Sequence, residues 1–142
     1  MVTAEEQVSN EQEQEKCLLT KEDIISIDDV EIRKVFVEKW GRYVYLRNMS
    51  AKVRDNYEWE IYQARQRGIL DRISIRTLLV SKCLCDAEGN LLFKDKNDVA
   101  ALAKKNAAAL EVLFKEAQDL NGIEREELDE MTENLLEGQS AD

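Results

Sequence analysis

The way charge is distributed along the chain limits where a compact core can form. Residues 1–31 hold ten acidic side chains against Lys16 and Lys21, and residues 122–142 hold eight against Arg125. Residues 32–121 hold seventeen basic and twelve acidic side chains, so the net −10 of the 142-residue chain belongs to its two ends. Residues 1–18 are rich in Glu, Gln, Ser and Asn, with little apolar surface to offset the entropy of ordering. The expectation is a flexible acidic arm over 1–18, a single globular domain over 19–122, and an acidic amphipathic helix and tail over 123–142. A central domain of that length is large enough to bury a core without disulfides or metals.

Within it the hydrophobic period changes from two to between three and four. Thr20 stands three residues before Asp23 in a near capping box, which predicts a short helix over about 20–27. Val35-Phe36-Val37 and Tyr43-Val44-Tyr45-Leu46, joined through Trp40-Gly41, predict a β-hairpin over about 32–47. Ile32, Lys34, Phe36 and Glu38 would face one way, and Val35, Val37 and Lys39 the other. A hairpin is marginal by itself and must lie against helices or a partner.

Ser50 then caps a helix over about 50–67 with the stripe Val53, Tyr57, Ile61 and Ala64. Residues 74–85 are apolar nearly all round and predict the most buried helix. Asp86–Asn90 forms a turn, after which Leu91-Leu92-Phe93 returns to the core. Helices follow over about 95–105 and 107–120, the second with the stripe Leu110, Leu113, Phe114, Ala117 and Leu120 and a stop at Asn121-Gly122. The chain has no proline, against an average share of about one residue in twenty. The fold class is α+β, mainly α: an N-terminal hairpin packed on a small helical bundle, with flexible acidic termini.

The chemistry these residues offer is narrow. There is no histidine, which removes His-based acid–base catalysis, the Ser–His and Cys–His nucleophiles and the commonest metal ligand. The five glycines are isolated, so no phosphate-cradling loop exists. Cys83 and Cys85 lack the further ligands a tetrahedral zinc needs and read as small core residues. Asp95, Asp98 and the acids of 124–130 lack the Gly-centred calcium loop and read as helix caps and first turns. No catalytic residue, cofactor site or metal site is expected. An overall charge of −10 opposes binding to a phosphate backbone, and no apolar stretch reaches the length of a membrane span or a signal peptide. Three cysteines, odd in number and poorly spaced for a disulfide framework, fit a reducing cytosol.

What remains is protein binding. Trp40, Tyr43, Tyr45, Tyr57, Trp59 and Tyr62 place six of the nine aromatic residues within 23 positions. Either the hairpin and the first helix form one mixed core, or the cluster is a contact surface, since Tyr and Trp are favoured anchors at interfaces. Trp59 sits off its helix stripe and Trp40 at the hairpin tip, so these two are the expected exposed anchors, with Tyr43 and Tyr45 beside them. Leu128, Met131, Leu135 and Leu136, surrounded by acids, form an amphipathic face suited to covering a protein-binding site reversibly. A small regulatory or adaptor protein binding one folded partner through the basic middle is the alternative reading.

The order of these segments resembles a known family. Leu19–Ile24 is followed by Glu38-Lys39-Trp40-Gly41, Tyr43–Arg47 and Met49-Ser50; later come Cys83–Asp86, Glu88-Gly89-Asn90, Leu92-Phe93, Ala103–Leu110 and Leu120–Ile123. Over roughly residues 19–135 this set is similar to the tail assembly chaperones of long-tailed bacteriophages and their prophages. Glu124 stands where the family pattern leads one to expect a Ser or Thr cap. The resemblance implies a non-catalytic protein of the host cytoplasm. Such a protein binds the tape measure protein, keeps it soluble, helps recruit tail tube subunits and leaves before the tail is complete. Self-association is a further partnership left open, and neither nucleic acid nor membrane is expected as a partner.

Overall fold

A computed structural model describes residues 17–70 and 72–123. Most of the expected N-terminal arm and of the C-terminal helix and tail therefore lies outside the described residues. The first element of the described residues is helix α1 (Lys21–Ser26), where Thr20 and Asp23 close a reciprocal capping box. Strands β1 (Ile32–Val37) and β2 (Arg42–Arg47) pair antiparallel in register from Ile32↔Arg47 to Val37↔Arg42. A 3₁₀ turn over Glu38–Trp40 joins them. Gly41 closes this turn at φ +64°, where its N–H donates to the carbonyl of Val37 at 2.9 Å.

Alternation holds within the strands. Val35, Val37 and Leu46 are buried on the inner face, while Ile32, Phe36 and Tyr43 are exposed on the outer one. Lys39, expected on the same strand face as Val35 and Val37, instead lies exposed in the 3₁₀ turn, because the strand period ends at Val37.

Helix α2 (Ala51–Gln66) is capped by the Ser50 hydroxyl, which accepts from the Val53 N–H at 3.2 Å. Tyr57 and Ile61 are its buried residues, with Val53 and Ala64 half-buried. Helix α3 (Arg72–Cys83) and strand β3 (Leu84–Cys85) replace the single helix expected over 74–85. Leu84 and Cys85 pair with Leu46 and Tyr45 and make the sheet three-stranded, in the order β1-β2-β3. The apolar run carries no period that separates a buried helix from a buried strand. What decides is tertiary: the free edge of β2 needs hydrogen-bond partners.

Helix α4 (Lys96–Ala103) opens on a second capping box, Asp95 with Asp98, and buries Leu102, while Ala103 faces solvent. Helix α5 (Ala107–Leu120) is capped by Asn106, whose side chain accepts from Ala108 and Ala109. Its face Ala109, Leu110, Leu113, Phe114, Ala117 and Leu120 is buried. The molecule is thus α+β and mainly helical, a small antiparallel sheet with helices on one face.

Helix α5 organises the packing, lying against α3, β1 and β2. Arg33 on β1 donates to Glu116 at 3.0 Å and Asp119 at 2.8 Å, fastening sheet to helix. Arg76–Glu111 at 3.1 Å ties α3 to α5, and Lys82–Glu60 at 2.8 Å ties α3 to α2. At the C-terminal end of α5, the Asn121 Oδ1 accepts from the Met49 N–H at 2.6 Å. Its Nδ2 donates to the Ala117 carbonyl at 2.8 Å and to the Cys83 Sγ at 3.4 Å.

Replacing Asn121 by Ala removes these bonds and strands the half-buried Met49 N–H. Asn121→Ala is therefore expected to cost about 1–3 kcal/mol in urea unfolding. Tyr57 points the other way. Its ring is buried and its hydroxyl, among the described residues, has no hydrogen-bond partner. Tyr57→Phe is expected to raise unfolding stability by up to about 1 kcal/mol; a fall on the same measurement would show that the hydroxyl is satisfied.

Candidate partner-binding surfaces

The aromatic residues separate into three environments. Trp40, expected as an exposed anchor, is half-buried and packs against the core. The 3₁₀ turn folds the hairpin tip back, and a large apolar ring gains more from that contact than from water. Tyr57 is part of the core.

A second group lies on the outer face of the sheet. Tyr43 is 59% exposed and meets Phe36 across the strands at 5.0 Å between ring centroids, tilted by 58°. The Lys34 ammonium sits 4.5 Å above the Tyr43 ring, a cation–π contact. Tyr45, next along the same face, pairs with Lys34 on one side and Cys85 on the other and is half-buried.

The opposite end of this face is closed. The Asp86 carboxylate accepts from the N–H groups of Glu88 and Asn90, which hold it below the usual carboxylate range, the Asn90 N–H contributing most. The turn so formed folds back over the sheet. Arg47 donates to the Gly89 carbonyl at 2.9 Å. A Cβ on Gly89 would meet Ile32 at 3.4 Å, and its φ of +89° already excludes other residues from comfort. Cys85 bridges to Leu91; Leu92, expected in the core, is exposed, and Phe93 alone of that triplet packs against it.

The third group is on α2. Trp59 is 57% exposed and stacks on Tyr62 at 5.4 Å with 20° between the rings. Asp55 and Glu58 complete a shallow groove of about 420 Å³ with them. Spacings of three and four place all four on one helix face. Arg54 pairs with Glu58 at 3.5 Å. Of the expected site residues, the structure brings Tyr43 and Tyr45 together on the sheet, places Trp59 apart on α2, and turns Trp40 inward. Leu128, Met131 and Leu135, with the cover they were expected to form, lie outside the described residues. Phe36 and Tyr62 complete the two aromatic pairs; their exposure follows from strand alternation and from the helix stripe.

Cys83 and Cys85 are buried and free, while Cys17 is exposed. Among the described residues no three Cys, Asp or Glu side chains converge as a metal site would need, and no helix is long and apolar enough to cross a membrane.

No protein-family model and no curated protein sequence matches the chain. The fold resembles a solved structure, that of the tail assembly chaperone of bacteriophage HK97. The likeness has a TM-score of 0.50 at 20% sequence identity, and covers 78% of this chain and 94% of that one.

Burial pushes the Cys83 thiol up to about 11, outweighing the Asn121 hydrogen bond that opposes the rise, and burial raises Cys85 as well. At pH 8 a thiol reagent is therefore expected to titrate Cys17 promptly, and Cys83 and Cys85 only on unfolding. Rapid modification of all three in the folded protein would contradict this placement.

Proposed function

We propose that the chain is a tail assembly chaperone of a long-tailed bacteriophage or prophage. It binds the tape measure protein in the host cytoplasm, keeps it soluble and helps recruit tail tube subunits, without turnover. The observation that supports this reading most is the likeness of its fold to the HK97 tail assembly chaperone over nearly the whole of that chain. The surface chemistry suits the task. A long helical client presents apolar stripes that need cover, and the two exposed aromatic pairs, Trp59/Tyr62 and Phe36/Tyr43, supply large, stiff anchors with polar tips. The net charge of −10 keeps a loaded complex apart from its neighbours.

The test is co-expression with the tape measure protein of the same genome, followed by sedimentation and pull-down. The client is expected to be soluble only in company and to co-purify. Trp59→Ala with Tyr62→Ala is expected to weaken capture about tenfold or more, equivalent to about 1.4 kcal/mol, with the urea midpoint unchanged. A client equally soluble alone, with no complex formed, would overturn the chaperone reading.

A further inference from the structure

The two exposed aromatic pairs differ in what surrounds them. On the sheet, the Lys34 ammonium already lies over the Tyr43 ring. On α2, among the described residues, no cation lies over either ring of the Trp59/Tyr62 stack, although indole is the best aromatic partner for one. The charged groups lining the groove beside that stack are carboxylates: Asp55 one turn before Trp59, and Glu58 one turn before Tyr62. All four side chains are exposed, on a face of α2 turned away from the buried Tyr57 and Ile61.

A shallow groove of about 420 Å³ does not enclose a small molecule, which needs cover over most of its surface. It has the shape to take one long side chain offered by a neighbouring protein. The chemistry narrows which side chain. Two nearly parallel rings present flat π surface, and carboxylates on successive turns attract a positive head and repel a negative one. A guanidinium is flat and permanently charged, stacks on aromatic faces and donates to carboxylates through several N–H groups; an ammonium brings the charge without the plane. Glu58 is engaged by Arg54 at 3.5 Å, an exposed pair of the kind that contributes little. Asp55 makes no ion pair among the described residues.

Charge disfavours the chain's own ends as the occupant. Residues 1–16 hold five acids against Lys16, and residues 124–142 hold eight against Arg125, so both carry the sign of Asp55 and Glu58. We propose that the Trp59/Tyr62 groove takes an arginine side chain from a helix of the partner protein. The guanidinium lies over the rings and donates to Asp55 and Glu58. A helical partner fits because the four lining residues, at spacings of three and four, form a ridge along α2 on which a second helix packs. For the chaperone proposed above, on whose reading of this groove as a client contact the assignment rests, the arginine belongs to the client.

Fluorescence anisotropy with a labelled, alanine-based helical peptide tests this on the full chain. The peptide carries a leucine stripe flanked by arginines; in its comparator glutamine replaces every arginine. The wild type is expected to bind the arginine peptide about tenfold more tightly, as a cation–π contact and exposed ion pairs together allow, and to lose much of that preference at high salt. Asp55→Asn with Glu58→Gln is expected to cut the preference to about threefold or less. Affinity for the glutamine peptide and the urea midpoint stay unchanged, which a misfolded variant could not show. Equal affinity for the two peptides, a preference that survives these substitutions in full, or no binding of the arginine peptide up to about 1 mM would each overturn the proposal. So would an Arg125→Gln protein that binds the peptide far more tightly than the wild type, since the chain's own arginine would then fill the groove. The peptide stands in for any partner, so these outcomes are independent of whether the tape measure protein is captured.

Discussion

The Asn121 carboxamide fastens together three parts of the chain that the backbone leaves apart. It bonds the last turn of α5 through Ala117, the segment entering α2 through Met49, and the junction of α3 and β3 through Cys83. A carboxamide serves here because one planar group offers an acceptor to a backbone N–H and two donors to the opposite side. Fixing the end of α5 in this way sets the helix across β1 and β2, so that Leu113 and Ala117 are sealed within the core that Val37 and Leu46 share. Arg33 holds the same helix from the strand side, through Glu116 and Asp119. The charge of these pairs is largely solvated, so their role is alignment more than energy.

Because α5 covers one face of the sheet, the other has no helical layer among the described residues. The Asp86–Asn90 turn protects one end of it through Arg47 and Gly89, and the aromatic end stays open. A sheet of three strands, one only two residues long, would ordinarily need cover on its apolar face. Phe36 and Tyr43 lessen the penalty by packing on each other, with Lys34 over the Tyr43 ring. Trp59 and Tyr62 do the same by stacking on α2. Both patches shelter part of their apolar area locally and remain available for contact, a compromise suited to surfaces that must be dry in one state and wet in another.

The elements whose residues repeat at a fixed spacing were legible in the sequence. Leu110, Leu113, Phe114, Ala117 and Leu120, introduced by Asn106, define α5 without reference to anything else in the chain, and all five are buried. The exposure of Trp59 followed from its position off the Val53/Tyr57/Ile61 stripe. The features that escaped depend on distant partners. Leu84 and Cys85 become a strand because Leu46 and Tyr45 lie alongside; their own neighbours fit a helix equally well. Trp40 turns inward because Gly41 takes a left-handed conformation that ends strand alternation. Thr20 and Asp23 announce a helix, but no local pattern tells that its isoleucines stand exposed among the described residues.

The separation in sequence between the sheet and its covering helix has a consequence for folding order. Arg33 and its carboxylate partners lie 83 and 86 residues apart, whereas β1 and β2 meet through a turn of a few residues. The hairpin therefore closes early and cheaply, while its inner face waits for α5 to be synthesised and for β3 to settle along β2. Loop closure of that length must precede any gain from the contacts it allows. Until then Val35, Val37 and Leu46 stand open on a nascent chain, and the steps that fix the fold fall at the end of translation of the domain.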